Sequence, residues 1–148
     1  MTVTLRKAGP ADGGLLVAWR NENASAFPPG EPLTLSRHRD WWSGVYELDP
    51  SDHLYIVCAG GTPAGCMSLT IRAGSGEIGR VILGDKTRAR AGIMSAALAS
   101  LTAAYGLPAY WLRILPGNTT ALRFYERNGF RRDREKGGWL IMLRGAAS

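Results

Sequence analysis

Ten of the 18 lysine and arginine side chains of this sequence fall into two clusters that could bind a polyanion. One cluster comprises Arg80, Lys86, Arg88 and Arg90, and the other comprises Arg123, Arg127, Arg131, Arg132, Arg134 and Lys136. The planar fork of a guanidinium group makes paired, charge-assisted hydrogen bonds that suit phosphate. The clusters, in a chain of net charge +6, therefore indicate a nucleotide-like cofactor or a nucleic acid as ligand. The alternative is a solvated surface that keeps the protein soluble.

Histidine and cysteine are the other residue types here with potential for chemistry. His38 and His53 are the only histidines and could titrate near neutral pH, although either could be an ordinary surface residue. Cys58 and Cys66 lie in apolar stretches without the spacing of metal ligands. They are therefore predicted to be buried free thiols, which suits a reducing compartment, and no metal site is expected.

The composition is that of an ordinary globular domain. The 148 residues, 45% hydrophobic and 20% charged, predict one domain spanning 1–148 with a substantial core. No apolar run approaches the roughly 18–20 residues that a membrane-spanning helix needs. The first six residues resemble a strand more than the apolar core of a signal peptide, so we expect a cytoplasmic protein without membrane association.

Hydrophobic periodicity and turn residues predict a mixed α and β fold with a largely antiparallel sheet. Strands are predicted at 3–8, 54–59, 65–71, 77–83, 110–115 and 139–143. Helices are predicted from a cap at Asp12 to about Asn21, from Ser36 to before Asp49, through Met94 to Tyr105, and over 119–128. The predicted order is β-α-α-β-β-β-α-β-α-β.

Residues 118–130 carry the most specific pattern, Asn-x-x-Ala-x-x-x-Tyr-Glu-x-x-Gly-Phe. This pattern resembles the C-terminal signature of the GNAT (N-acetyltransferase) superfamily. The front half adds weaker support, because the segment 19–22, followed by Ser36, His38, Trp41 and Trp42, is similar to the branch of amino-sugar and ribosomal-protein acetyltransferases. The resemblance implies an α/β GNAT fold in which two neighbouring parallel strands, here 77–83 and 110–115, splay apart.

The resemblance also implies acetyl-CoA, or another acyl-CoA, as cofactor. Its pantetheine arm would lie between the splayed strands, and its pyrophosphate at the N-terminus of the following helix, where amides and the helix dipole favour anions. The corresponding cofactor-binding residues in this sequence are Val81, Leu83, Arg88, Ala89, Arg90, Ala91, Gly92, Asn118, Ala121 and Phe124. For Asn118, a plain turn or helix-cap role is the alternative.

The phosphate-binding loop departs from the family pattern of Arg or Gln, two residues, Gly, one residue, then Gly or Ala. Counting back from Asn118 makes 86–91 the equivalent, with alanine where glycine is usual, whereas counting from Glu77 shifts the register by one or two residues. Alanine keeps the amide, but its methyl group costs of order 1 kcal/mol where φ is positive. Weakened coenzyme A binding and a different loop path both remain open.

Acyl transfer to an amine requires a neutral nucleophile, stabilisation of an oxyanion and a proton for the leaving thiolate. The resemblance implies that Tyr125 is the general acid and that Glu77 deprotonates the amine through water. The alternatives are a core aromatic residue for Tyr125 and a solvent-facing strand end for Glu77. The residues proposed to border the acceptor site are Phe27, His38, Trp41 and Trp42. Aromatic side chains at helical spacing could instead belong to the core.

The leading functional prediction is an acetyl-CoA-dependent N-acetyltransferase that acts by direct transfer on a small amine, such as an amino sugar, or on a protein N-terminus. A second prediction keeps the fold but uses aminoacyl-tRNA as acyl donor or substrate, which would suit the basic clusters and the altered loop. A third is a non-catalytic GNAT-like binding domain. The sequence leaves the general base, and the choice between monomer and homodimer, open.

Overall fold

The computed structural model describes residues 2–88 and 91–145, and in it seven strands form one sheet of order β1-β2-β3-β4-β5-β7-β6. The strands are β1 (Val3–Lys7), β2 (Asp52–Ala59), β3 (Thr62–Arg72), β4 (Ser75–Leu83), β5 (Ala109–Ile114), β6 (Arg131–Lys136) and β7 (Trp139–Gly145). The α-helices are α1 (Gly13–Glu22), α2 (Leu35–Trp41), α3 (Ile93–Tyr105) and α4 (Thr119–Arg127). Within the described ranges no helix combines the length and apolar character that crossing a membrane requires.

Helices cover the sheet on both faces and create two cores. Leu16 and Trp19 of α1 pack with Trp42 and Tyr46, which follow α2, in what we call the α1–α2 core. On the opposite face, Leu98 of α3 and Tyr125 of α4 lie in the larger core. Successive side chains of a strand point to opposite faces, so β2 and β3 contribute to both cores.

A bulge in β4 changes this alternation halfway along the strand. Ser68 pairs with Gly79 and Cys66 pairs with Ile82, so one residue of β3 lies opposite two residues of β4. As a result Ile78 packs in the larger core, whereas Ile82 packs in the α1–α2 core. A regular strand would place residues 78 and 82 on the same face. Arg80 lies within the bulge and has a left-handed φ of 48°.

The parallel strands β4 and β5 pair only at their beginnings. The ladder contains Ser75 with Ala109, Gly76 with Tyr110, and Glu77 with Trp111, and it ends there. Beyond Glu77 the remaining part of β4 has no partner strand on this side, while β5 continues to pair with β7. The expected fold is confirmed: a mostly antiparallel sheet with one parallel pair that separates, flanked by helices.

The strand β6 was not predicted, because residues 131–136 were interpreted as part of a basic cluster. All six side chains of β6 are exposed, so the strand has no apolar face that periodicity could reveal. It pairs only with β7 and forms the edge of the sheet. Charged side chains on an exposed edge discourage pairing with other chains.

Two helix starts differ from prediction. Asp12 precedes α1, but its carboxylate accepts hydrogen bonds from the Arg6 guanidinium and the Gly9 amide rather than from the first turn of α1. The second helix begins at Leu35, because the hydroxyl of Thr34 accepts from the amide of Arg37 and so supplies the cap expected of Ser36.

Gly84 is a position where the packing of α1 on β4 can be tested. A Cβ built at Gly84 would lie 2.2 Å from Nε1 of Trp19, which is buried. Gly84→Ala should therefore reduce the free energy of unfolding by about 1–3 kcal/mol, measured by urea denaturation. Gly14→Ala is the control, because Gly14 lies in α1 with open space around its Cβ position, and there alanine should stabilise by about 0.5–1 kcal/mol. Equal stability of the two variants would contradict this packing.

Candidate active site

A cavity of about 250 Å³ lies between α1, α2 and the bulged part of β4. Its apolar walls are formed by Leu16, Phe27, Leu33, Trp41, Leu54 and Ile82. Its polar lining residues are Arg20, His38, Cys66 and Arg80. A mostly apolar pocket with a few convergent polar groups is typical of a small-molecule site.

Arg80 is held in place by two interactions. Its Nη1 and Nη2 atoms donate to Oδ1 and Oδ2 of Asp52 at 2.9 and 2.8 Å, and its guanidinium lies 4.9 Å from the centroid of the Trp41 ring. The side chain of Asp52 is only 10% exposed. Arg80 was grouped with the basic cluster predicted to bind a polyanion, and the structure pairs its charge with Asp52 beside the cavity.

Arg20 is the cation of this cavity that lacks a carboxylate. It is half-buried, and its guanidinium stacks 3.6 Å from the centroid of the Phe27 ring. Within residues 2–88 and 91–145 its side chain makes no hydrogen bond or ion pair. Burial lowers the pKa of Arg20, although an arginine remains charged at neutral pH. Sequence reasoning gave Arg20 no role in the site, yet its spacing of four residues from the buried Leu16 places both on one face of α1.

His38 is buried rather than a surface residue. Its ring lies 5.6 Å from the ring of Trp41 and 6.0 Å from that of Trp42. Nε2 of His38 and Nε1 of Trp42 are both buried without a hydrogen-bond partner in the described parts of the chain. Burial lowers the pKa of His38, so the imidazole is neutral at pH 7 and can exchange a proton with a ligand in the cavity.

The lowered pKa of His38 predicts a pH-dependent stability. Below about pH 6.5 the unfolded chain binds a proton at this histidine while the folded protein resists it, so stability falls as the pH falls. We expect the melting temperature to drop between pH 7 and pH 5, and His38→Gln to lose part of this drop. His53→Gln should remove a separate part of the drop in melting temperature, because burial and the charge of Lys7 also lower the pKa of His53. A profile for His38→Gln that is parallel to that of the unaltered protein would refute the assignment.

Cys66 contributes a thiol to the cavity but not a nucleophile. Burial raises its pKa to about 12, and its Sγ donates to the carbonyl of Arg80 at 3.2 Å. The reactive form of cysteine is the thiolate, which is therefore scarce here at neutral pH. Cys58 is also buried, and both thiols are free as predicted.

The start of α3 lies near the end of β4, because Sδ of Met94 is 3.2 Å from a Cβ built at Gly65, the partner of Leu83 in the sheet. Gly92 caps α3 with a φ of 71° and has no side chain to satisfy the amides of the first turn. In the first turn of α3, the Ala96 amide donates a hydrogen bond to the Gly92 carbonyl at 3.0 Å. Free amides and the helix dipole together make this end of α3 suitable for an anion.

The loop before α3 contains several of the predicted phosphate-binding residues. Arg88 forms an ion pair with Asp85, with 3.0 Å between Nε and Oδ2. Ala91 immediately precedes the cap residue Gly92. Ala89 and Arg90, which are also predicted to bind the cofactor, lie outside the described residues.

Tyr125 combines a core position with a free hydroxyl group. Its ring packs at near-right angles against Phe124 and Phe130, at centroid distances of 5.1 and 5.7 Å. Among the described residues no group bonds to its hydroxyl, and burial raises its pKa. The phenol is therefore protonated at neutral pH and can donate to a ligand. Both sequence interpretations of Tyr125, core aromatic and proton donor, are compatible with this position.

The remaining predicted residues surround the gap or lie at its edges. Asn118 caps α4, since its side chain accepts from the Ala121 amide at 3.2 Å. At the other end of α4, Asn128 donates to Oγ of Ser95 at 3.1 Å and thereby links α4 to the first turn of α3. Ala121 and Phe124 pack, half-buried, against the larger core, as do Val81 and Leu83 on β4.

Glu77 lies where the paired part of β4 and β5 ends. Its Oε2 is 3.6 Å from Nε of Arg113, and its side chain is 28% exposed. It does not line the cavity that contains Phe27, His38 and Trp41. The structure thus brings three of the four predicted acceptor-site residues together and places Trp42 beside His38. Residues 2–88 and 91–145 contain no group of three His, Cys, Asp or Glu side chains that could hold a metal.

Among known proteins, one family model matches the sequence, and many solved structures are similar to the fold. The family model described as "Acetyltransferase (GNAT) domain" matches residues 2–131. A solved structure of AAC(6')-Ib with ribostamycin and coenzyme A superimposes with a TM-score of 0.85, at 19% identity over 98% of this chain and 94% of that chain. PaiA N-acetyltransferase from Thermoplasma acidophilum, in complex with coenzyme A, gives 0.72 at 18% identity over 99% and 100%.

A domain from Methanocaldococcus jannaschii is also similar, with a TM-score of 0.81 at 20% identity over 96% of this chain and 97% of that one. No curated protein sequence matches the chain significantly. At these identities the structural likeness shows a shared fold, which is the fold that the strand order and the parting of β4 from β5 describe.

Proposed function

The chain belongs to the acetyltransferase (GNAT) family, and from this premise we propose that it transfers an acetyl group from acetyl-CoA to the amine of a small metabolite. The observation that carries this proposal is the separation of β4 from β5 near the start of α3, where the cap residue Gly92 has no side chain to bond the first amides. This arrangement offers a slot for a long flexible arm and an anion site at the end of the slot.

The residues of the slot fit coenzyme A. Val81 and Leu83 lie on the part of β4 that has no partner strand towards β5, so backbone groups on that side can bond to an amide-containing arm. The amides at Gly92 and after it would hold the pyrophosphate. Bound acetyl-CoA supplies a thioester, which an uncharged amine attacks.

The side chains around the slot and the cavity supply the proton transfers. Tyr125 would donate to the leaving sulfur, because its phenol is protonated and its hydroxyl is without a described partner. The apolar cavity would exclude water and favour the uncharged form of the amine. Glu77, through water, and the neutral His38 are the two groups proposed to accept the proton of the amine.

The state of Cys66 supports direct transfer in a ternary complex. A thiol with a pKa of about 12 is a poor nucleophile at neutral pH, so an acyl-enzyme at this position is disfavoured. Cys66→Ala should therefore retain acetyl transfer, whereas a ping-pong mechanism through this residue would require the thiol.

Titration calorimetry with acetyl-CoA at low and moderate salt is the first test. Single-site binding at micromolar concentration would support the proposal, and a panel of amines, followed by detection of released coenzyme A, would then identify acceptors. No binding at millimolar acetyl-CoA would refute it. In that case the chain would next be tested as a non-catalytic binding domain and as an enzyme that uses aminoacyl-tRNA.

The aminoacyl-tRNA alternative has one specific observation in its favour. Strand β6 exposes four basic and two acidic side chains at a sheet edge, which leaves an excess of two positive charges on that strand. Binding of charged tRNA through such a surface should weaken steeply with salt. Gel shifts with charged tRNA at two salt concentrations, with and without acetyl-CoA, would separate this function from the leading one.

A further inference from the structure

We propose that the acceptor is a small amine that also carries a carboxylate, and that Arg20 binds this carboxylate in the cavity between α1, α2 and β4. The inference rests on the proposed function, because it names the class of acceptor for the same reaction. It starts from the balance of charge around the cavity.

The cavity contains one cation that nothing in the described chain neutralises. Its lining includes neither aspartate nor glutamate. The charge of Arg80 is matched by Asp52 through two hydrogen bonds, and His38 is neutral at pH 7. Arg20 remains, and a half-buried charge without a counterion is unfavourable unless a ligand supplies one.

The geometry of Arg20 leaves its hydrogen-bonding edge available. Cζ of its guanidinium lies over the ring of Phe27, 3.6 Å from the ring centroid. Stacking occupies the flat face of the group, whereas its N–H donors lie in the plane and point outwards. Such a fork can bind both oxygens of a carboxylate at once, which fixes the orientation of the ligand as well as its charge.

Two acidic side chains on neighbouring segments, Glu31 and Asp12, do not supply Arg20 with a counterion. Glu31 and Arg20 both line a second cavity of about 150 Å³. The side chain of Glu31, however, is 82% exposed and lies 3.7 Å from Arg37. Asp12, close in sequence, is bound by Arg6 at 2.8 Å. Neither carboxylate comes within ion-pair distance of Arg20.

The same balance of charge disfavours polycationic acceptors. A polyamine needs carboxylates to hold its ammonium groups. Among the described residues, Asp52 is the only carboxylate bonded to a side chain of the cavity lining, and Arg80 already occupies it. The apolar walls add a preference for a hydrophobic body. With about 250 Å³ of space, a free amino acid with an apolar side chain has the combination of groups that the cavity complements.

The test compares matched pairs of amines with the intact 148-residue chain and acetyl-CoA. Free leucine is paired with leucinamide and free phenylalanine with phenylalaninamide, and an aminoalkylphosphonate tests another anion. Because the amide also lowers the pKa of the neighbouring amine, kcat/KM is calculated for the uncharged amine in each case. We expect kcat/KM to be at least about 10-fold higher for the carboxylates than for the amides, since a hydrogen bond to a charged group contributes this much. A higher kcat/KM for the phosphonate than for the matched carboxylate would overturn the carboxylate assignment.

Variants of Arg20 make the test specific to this residue. Arg20→Gln should raise KM for the carboxylate acceptor by about 10- to 100-fold, leave the matched amide unchanged, and so abolish the preference. Arg20→Lys should recover part of the loss, because it keeps the charge but not the fork. Arg39→Gln is the control, since it removes the same charge from the exposed surface of α2.

Failure of this inference can be distinguished from failure of the proposed function. Acetylation of amides or polyamines in preference to carboxylates, or an equal effect of Arg20→Gln on both members of a pair, would overturn it while leaving acetyl transfer intact. If acetyl-CoA does not bind, ligand-observed NMR with N-acetyl-leucine and N-acetyl-leucinamide still reports on the cavity. Carboxylate-dependent binding that Arg20→Gln abolishes would support the inference, and equal binding of the two compounds would refute it.

Discussion

Tyr125→Phe should lower kcat by about 10²- to 10⁴-fold, the range that a positioned general acid contributes. The substitution removes only the hydroxyl group, and the ring keeps its contacts with Phe124 and Phe130. Because that hydroxyl bonds to no described residue, the free energy of unfolding should change little. Steady-state kinetics at saturating acetyl-CoA and urea denaturation measure the two effects separately.

Tyr110→Phe provides the matched control. The hydroxyl of Tyr110 donates to the Thr102 carbonyl at 2.8 Å and accepts from the Leu107 amide at 3.1 Å, so its loss should cost about 1–3 kcal/mol of stability. It should leave kcat unchanged, because the group is used within the fold. An unchanged kcat in Tyr125→Phe, or equal loss in both variants, would remove the general-acid assignment.

Gly92→Asp should raise KM for acetyl-CoA by about 10- to 100-fold without unfolding the protein. Aspartate tolerates the left-handed conformation of Gly92 better than most residues, and no atom lies within 4 Å of its Cβ position. The added carboxylate would occupy the anion site at the start of α3 and repel the pyrophosphate. Its favourable interaction with the helix dipole, about 0.3–1 kcal/mol, would offset the backbone strain.

Gly106→Asp places the same change at the other end of the same helix. Gly106 caps the C-terminus of α3 with a φ of 57°, also in open space. There the interaction of the carboxylate with the helix dipole should add about 0.3–1 kcal/mol of destabilisation to the backbone strain, and KM for acetyl-CoA should be unaffected. We therefore expect Gly92→Asp to change KM with little loss of stability, and Gly106→Asp to lose stability without a change in KM. Equal KM values would show that the start of α3 does not bind the pyrophosphate.

The elements that border the slot could be predicted because their sequences satisfy local rules. Helix α3 has apolar residues at helical spacing, and α4 ends before Gly129, whose φ of 88° suits glycine. Strands β4 and β5 are apolar runs bounded by turn residues. The pattern over 118–130 then identified the family, and with it the expectation that these two strands part.

The features that sequence could not provide depend on contacts between distant segments. The bulge at Arg80 has no signal, since a left-handed arginine resembles any other arginine in a sequence. Strand β6 exposes every side chain, so it lacks the alternation by which strands are recognised. The cavity joins Arg20, Phe27, Trp41 and Arg80 from separate parts of the chain. The unmatched charge of Arg20 becomes evident only when these partners are known.

The bulge in β4 also determines where this gene can lose a codon over evolutionary time. Deleting one codon between Gly79 and Ile82 would restore a regular ladder and leave Ile82 opposite Cys66, because Ile78 and Ile82 would then be three residues apart and still face opposite cores. A codon lost or gained in the regular part of β4 would instead turn all the side chains that follow to the other face, so descendants of the same ancestor should vary in length at the bulge and not elsewhere in the strand. The irregular segment 28–32, which belongs to no strand or helix and precedes Leu33 of the cavity wall and the cap residue Thr34, can change length more readily, so new acceptors would arise there first.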